Sequence, residues 1–124
     1  MSNKFTILSS ATRTADQTVI SVAEEGVKGV LINLDITSTS TSPTLDVKLQ
    51  RLDWLTNKWI DLPGGAIAQQ STVNSVDLIV YPGIAETANR SVSDFATEEI
   101  RTIADIGGAS TPTMVYSISG RWLK

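Results

Sequence analysis

Along most of this chain apolar and polar residues alternate with the two-residue period of a half-buried β-strand. Val30, Ile32, Leu34 and Ile36 share one side, and Asn33, Asp35 and Thr37 the other. Leu45, Val47 and Leu49 are likewise opposed to Asp46, Lys48 and Gln50. The stretch from Ser38 to Pro43 is long enough to reverse the chain, so Lys28 to Asp53 predicts a β-hairpin at the centre of a β-sandwich. The uncharged run Thr37 to Ser42 reads as the loop tip of that hairpin.

The remaining segments repeat the theme. Thr18 to Val22 is a short strand, and Glu24-Glu25-Gly26 turns the chain toward the central pair. Thr56-Asn57-Lys58 predicts a tight turn that folds Trp59-Ile60-Asp61 back onto Arg51-Leu52-Asp53. Pro63-Gly64 suits the middle of a type II turn that closes this strand, and Pro82-Gly83 repeats the chemistry after the strand Asn74 to Tyr81. Residues 84–97 predict a loop with a short strand at Ser91-Val92-Ser93. Glu99 to Ile106 alternates again and ends at Gly107-Gly108. Met114 to Trp122 forms a last strand in which Gly120 marks a bulge or a close contact. Residues 1–17 carry a short apolar group, Phe5, Ile7 and Leu8, read as an edge strand with an extended arm or as a frayed end. The sum is an all-β, antiparallel β-sandwich of about eight strands, jelly-roll or immunoglobulin-like. Its domain spans residues 18–124, behind an N-terminal segment at 1–17.

Length and charge narrow what such a domain does. The 124 residues suit one domain, and 19% charged residues with a net charge of −3 supply no basic field for a phosphate backbone or anionic lipid. No nucleic-acid and no membrane partner is expected. No apolar run approaches the length of a span or a signal core, so synthesis in the cytoplasm is expected. The chain has no cysteine and no histidine. Disulfides, thiolate chemistry and the usual histidine-based hydrolase and zinc arrangements are therefore unavailable, and catalysis would have to rest on carboxylates alone.

Two residue sets remain as candidate chemistry. Trp54, Trp59 and Trp122, with Tyr81 and Tyr116, could supply a flat platform for a sugar ring, with Trp54 and Trp59 as its core; large aromatics more often fill a core or an interface. Asp35, Asp46, Asp53, Asp61 and Asp77 could pair as acid and base or hold calcium. Most fall on solvent faces of strands, and no Asp-x-Asp-x-Asp-Gly loop occurs. Gly64-Gly65 and Gly107-Gly108 lack the strand-to-helix setting of a phosphate cradle and read as turns. No catalytic residue, metal site or cofactor is assigned.

The stretch Ser42-Pro43-Thr44-Leu45-Asp46-Val47-Lys48-Leu49-Gln50, with Trp59 to Ala66, resembles a widespread group of small structural proteins of tailed bacteriophages. Val80-Tyr81-Pro82-Gly83-Ile84, Ser91-Val92-Ser93-Asp94 and Met114 to Leu123 fit the same group. The resemblance covers most of the chain from about Gly29 and rests on strand and turn patterns. It implies a virion protein that decorates and stabilises the capsid surface, a cement protein made in the host cytoplasm. Its implied partners are the major capsid protein and further copies of itself, as a homotrimer. On that reading Phe5, Ile7, Leu8 and Arg13 are expected to contact the capsid, and Leu31, Ile79 and Ile103 to mediate self-association. The alternatives are a carbohydrate-binding module on the virion surface and a tail or neck component.

Overall fold

The computed structural model describes residues 3–96, 99–108 and 111–124. Among these residues nine strands form two sheets: β1 (Lys4–Arg13), β2 (Gln17–Val22), β3 (Gly29–Ser40), β4 (Pro43–Asp53), β5 (Lys58–Gln70), β6 (Asn74–Val80), β7 (Ser91–Val92), β8 (Glu99–Gly108) and β9 (Thr113–Leu123). The sheets run β1-β9-β3-β6-β7 and β2-β8-β4-β5. Every pairing is antiparallel except the short parallel contact of β7 with β6. With β7 set aside, the chain changes sheet at every step except the β4–β5 hairpin, and the two strand orders are those of a jelly roll, which decides between the two sandwich types left open by the sequence.

Each sheet turns one face to a shared core, as the alternation requires. Val30, Ile32, Leu34 and Ile36 from β3 meet Leu45, Val47 and Leu49 from β4, with Leu78, Val80, Ile100, Met114, Tyr116 and Ile118 between them, all essentially inaccessible to solvent. Full burial of a large aliphatic side chain is worth about 1.5–3 kcal/mol, so this cluster is the main source of stability.

The strands of the central pair form as expected, but they are not partners. β3 pairs with β6 and β9, and β4 with β5 and β8, so the chain between them crosses from one sheet to the other. A hairpin and a crossover bury the same alternate residues, and periodicity cannot tell them apart. Nor is the serine-threonine run a loop: β3 continues to Ser40 because Ser38, Thr39 and Ser40 pair with Val115, Met114 and Thr113. Thr41 and Ser42 alone make the crossing, both with positive φ.

Pro63-Gly64 does not end its strand. β5 runs through it to Gln70, and the register against β4 slips between Lys48 and Gln50, so the pair sits in a bulge. Pro82-Gly83 is the turn expected, with Gly83 at φ 84. Ser91-Val92 form the short strand expected inside the loop; Thr97, the last residue of that stretch, lies outside the described residues.

The N-terminal segment is not a free arm. β1 pairs with β9 from Lys4 to Arg13, Ile7 and Leu8 are buried, and Phe5 stacks on Trp122 with ring centroids 4.4 Å apart. Arg13 lies 5.3 Å from the ring centroid of Tyr116 and donates to the Ser9 carbonyl. Of these four residues, expected at a capsid contact, Ile7 and Leu8 are buried and Phe5 and Arg13 half-buried, because β1 completes one of the sheets. Met1 and Ser2 lie outside the described residues.

Candidate functional site

The clearest concentration of unspent apolar surface lies at one end of the sandwich, where β4 turns into β5. Asp53 builds the turn: its carboxylate accepts from the Thr56 hydroxyl at 2.5 Å and from the Leu55 N–H at 3.4 Å, and its carbonyl accepts from the Asn57 N–H at 2.7 Å. The Thr56 hydroxyl, more than any other group, lowers the Asp53 pKa below the ordinary aspartate value. Asn57 adopts the positive φ that asparagine tolerates in such turns. This fixed scaffold holds Trp54 and Leu55 outward, 79% and 75% exposed.

Beside the turn the chain carries a second outward aromatic. Arg51, near the end of β4, bonds the Asp94 carboxylate at 2.7 Å and the Phe95 carbonyl at 3.1 Å. Burial pushes the Asp94 pKa up, yet the bonds from Arg51 and the Phe95 N–H win and leave it below the usual value. One residue on, Ala96 is fully buried and its N–H donates to the Lys28 carbonyl. Phe95 is thus pinned on both sides while its ring stays exposed. Ile60, paired with Arg51 across β5, is exposed as well. Trp54, Leu55, Ile60 and Phe95 form an apolar end on a rigid frame, a surface suited to covering by another protein.

Among the residues expected to act, Leu31 and Ile79 do come together, directly opposite each other in the β3·β6 ladder on the outer face of the five-stranded sheet. Ile103 does not join them. It lies on the outer face of the other sheet beside Thr18 and Lys48, so the three residues do not share one surface. All three are half-buried.

Trp54 and Trp59 belong to the same hairpin but differ in setting. Trp54 stands in solvent, whereas the Arg101 guanidinium covers one face of Trp59 at 4.9 Å from the ring centroid. Arg101 also donates to Gln50 at 2.8 Å, Gln50 donates to Asp61 at 2.7 Å, and Lys48 lies 3.2 Å from Asp61. This network holds the Trp59 face closed to a sugar ring and, through Gln50 first and Lys48 second, lowers the Asp61 pKa. Trp122 is in the core. Of the other candidates, Asp77 accepts from Asn33 and Asp46 from Gln69, while Asp35 stands in the β3 ladders opposite Ser75 and Ser117. Among the described residues no group of three or more acidic side chains is placed to hold a metal ion. Among the same residues no helix is long and apolar enough to cross a membrane.

Sequence reasoning missed Leu55, Ile60 and Phe95. Leu55 carried a signal, since an apolar pair inside an Asp-Trp-Leu-Thr-Asn turn has nowhere to be buried; Phe95 carried none, because its exposure follows from the Arg51–Asp94 contact.

No protein-family model matches this chain, and no curated protein is significantly similar to it. A solved structure described as Yersinia pseudotuberculosis-derived mitogen (YPM) is similar over 98% of this chain and 86% of that one, at 18% identity and a TM-score of 0.47. No activity or partner of this chain follows from a likeness of that size.

Proposed function

We propose that this protein works by protein–protein contact as a decoration protein of a tailed-bacteriophage capsid, a homotrimer that binds the major capsid protein and stabilises the shell without a cofactor. The observation that carries the reading is the apolar end built by Trp54, Leu55, Ile60 and Phe95, held outward by the Asp53 turn and the Arg51–Asp94 pair. Each large apolar side chain that a partner covers fully is worth about 1.5–3 kcal/mol, so such a cluster, fixed in advance, supplies binding energy at little ordering cost. The virion setting rests on the resemblance of the Ser42–Gln50 and Trp59–Ala66 stretches to small phage structural proteins. A tail or neck component would use the same contact chemistry, and location on the particle separates the two.

The test is binding to purified phage shells. A Trp54→Ser, Leu55→Ser double variant should keep the wild-type circular dichroism spectrum and melting temperature, because both side chains stand in solvent, and should lose shell occupancy in co-sedimentation. Unchanged occupancy overturns the assignment of this end. A cryo-EM map showing the density on the tail moves the protein from the decoration to the tail class.

A further inference from the structure

Four strands lie at sheet edges, and three of them carry the features that keep an edge from pairing with a foreign strand. β7 has only two residues, β5 contains Pro63 and two breaks in register, and β1 contains two such breaks and begins with Lys4. β2 has none of these. Its residues, Gln-Thr-Val-Ile-Ser-Val, include no charge, proline or glycine, and they pair with β8 one by one from Gln17↔Ala104 to Val22↔Glu99 without a shift. Among the described residues its other side pairs with no strand. On the outer face Ile20 and Val22 are 54% and 67% exposed, with Ile103 on the neighbouring strand.

Charge decides what fits there. Asp16 stands just before β2, its carboxylate accepting the Ile106 N–H; just after it Glu24 shares a cavity with Lys4 and Lys124, but Glu25 is exposed beside it and Glu99 stands opposite Val22, so carboxylates outnumber lysines there. A second copy of β2 in antiparallel alignment would bring the Asp16 end of each copy to the Glu24–Glu25 end of the other. In parallel alignment like would meet like. Both arrangements set carboxylates against carboxylates, which is destabilising across paired strands.

We propose that β2 is a receiving edge, to which an extended segment of a different protein, apolar at alternate positions and basic at both ends, adds as a further strand of the four-stranded sheet. Main-chain hydrogen bonds supply the attachment, Ile20 and Val22 cover the alternate apolar side chains, and the two acidic ends set the choice of partner. β8 lies between this edge and β4, although the Val22 end of β2 is at the same end of the sandwich as Arg51, and the inference does not depend on the identity of the shell.

The probe is a short synthetic peptide of alternating valine and threonine with lysine at each end, added at millimolar concentration to the full chain and followed by amide exchange and chemical shifts. The expected result is protection and shift changes in β2, binding weakened about tenfold when glutamate replaces the terminal lysines, and loss of binding when alternate peptide nitrogens are methylated. Absence of binding, equal binding of the two peptides, retained binding of the methylated peptide, or changes centred outside β2 and β8 would each overturn the proposal. So would self-association of the chain that protects β2 and disappears on dilution, since that names a second copy as the occupant.

Discussion

Gly120 on β9 is the position where the smallest possible addition should have the largest effect. Its partner in the β1 ladder is Phe5, whose ring lies over the glycine and stacks on Trp122 at an interplanar angle of 13°. A Cβ at Gly120 would fall 2.6 and 2.7 Å from two carbons of the Phe5 ring and closer still to Cζ. Carbon atoms prefer about 3.5–4.0 Å, so Gly120→Ala must displace the ring. Loss of the stack costs about 0.5–1.5 kcal/mol and overpacking about 1–3 kcal/mol. Because β1 is an edge strand, Phe5 can swing toward solvent, which keeps the strain near its lower bound and the total at about 2 kcal/mol. For a domain of this size that is a fall of roughly 8 °C in melting temperature. The assay is thermal and denaturant unfolding of the wild type, Gly120→Ala, Phe5→Ala and the double variant. With Phe5 already truncated the new methyl has room, so the alanine should cost almost nothing there and the coupling should be about 2 kcal/mol. Equal destabilisation in both backgrounds would refute the steric argument and point to a need for glycine in the backbone itself.

Two further outcomes follow from the charged and polar groups. The folded pKa of Asp94 lies below its unfolded value, so its contribution to stability is complete above the ordinary aspartate range and is lost as pH falls through the folded value. The stability gap between wild type and Asp94→Asn, measured by urea unfolding, should therefore close on acidification; a gap independent of pH contradicts the role given to the Arg51 contact. Tyr116 is fully buried with no hydrogen-bond partner for its hydroxyl among the described residues, and desolvation raises its pKa. Tyr116→Phe should be neutral or stabilising by up to about 1 kcal/mol in denaturant unfolding, and a loss of that size would show that the hydroxyl has a partner after all.

The alternation of apolar and polar residues by itself determined the class of fold, most strand positions and the core. Val30, Ile32, Leu34 and Ile36, Leu45, Val47 and Leu49, Ile100 and Ala104, and Met114, Tyr116, Ile118 and Trp122 point inward as their two-residue spacing requires, while Leu31 and Ile103 between them fall on the outer faces, since a strand has only two faces. Local chemistry also fixed the Thr56–Lys58 reversal, the Pro82-Gly83 turn and the close contact at Gly120, because each depends on residues near in sequence or on the lack of a single Cβ. Pairing was decided only by the tertiary structure. β3 and β4 bury the same side chains whether joined as a hairpin or split between two sheets, so the choice falls to contacts as distant as Asn33 with Ser119 and Asp46 with Asp105. The same long-range choice drew Phe5, Ile7 and Leu8 into the sandwich, placed Ile103 on the opposite sheet from Leu31 and Ile79, and let Arg51 reach Asp94 to leave Phe95 in solvent. A two-residue period says which side chains want burial, but not which neighbour will bury them.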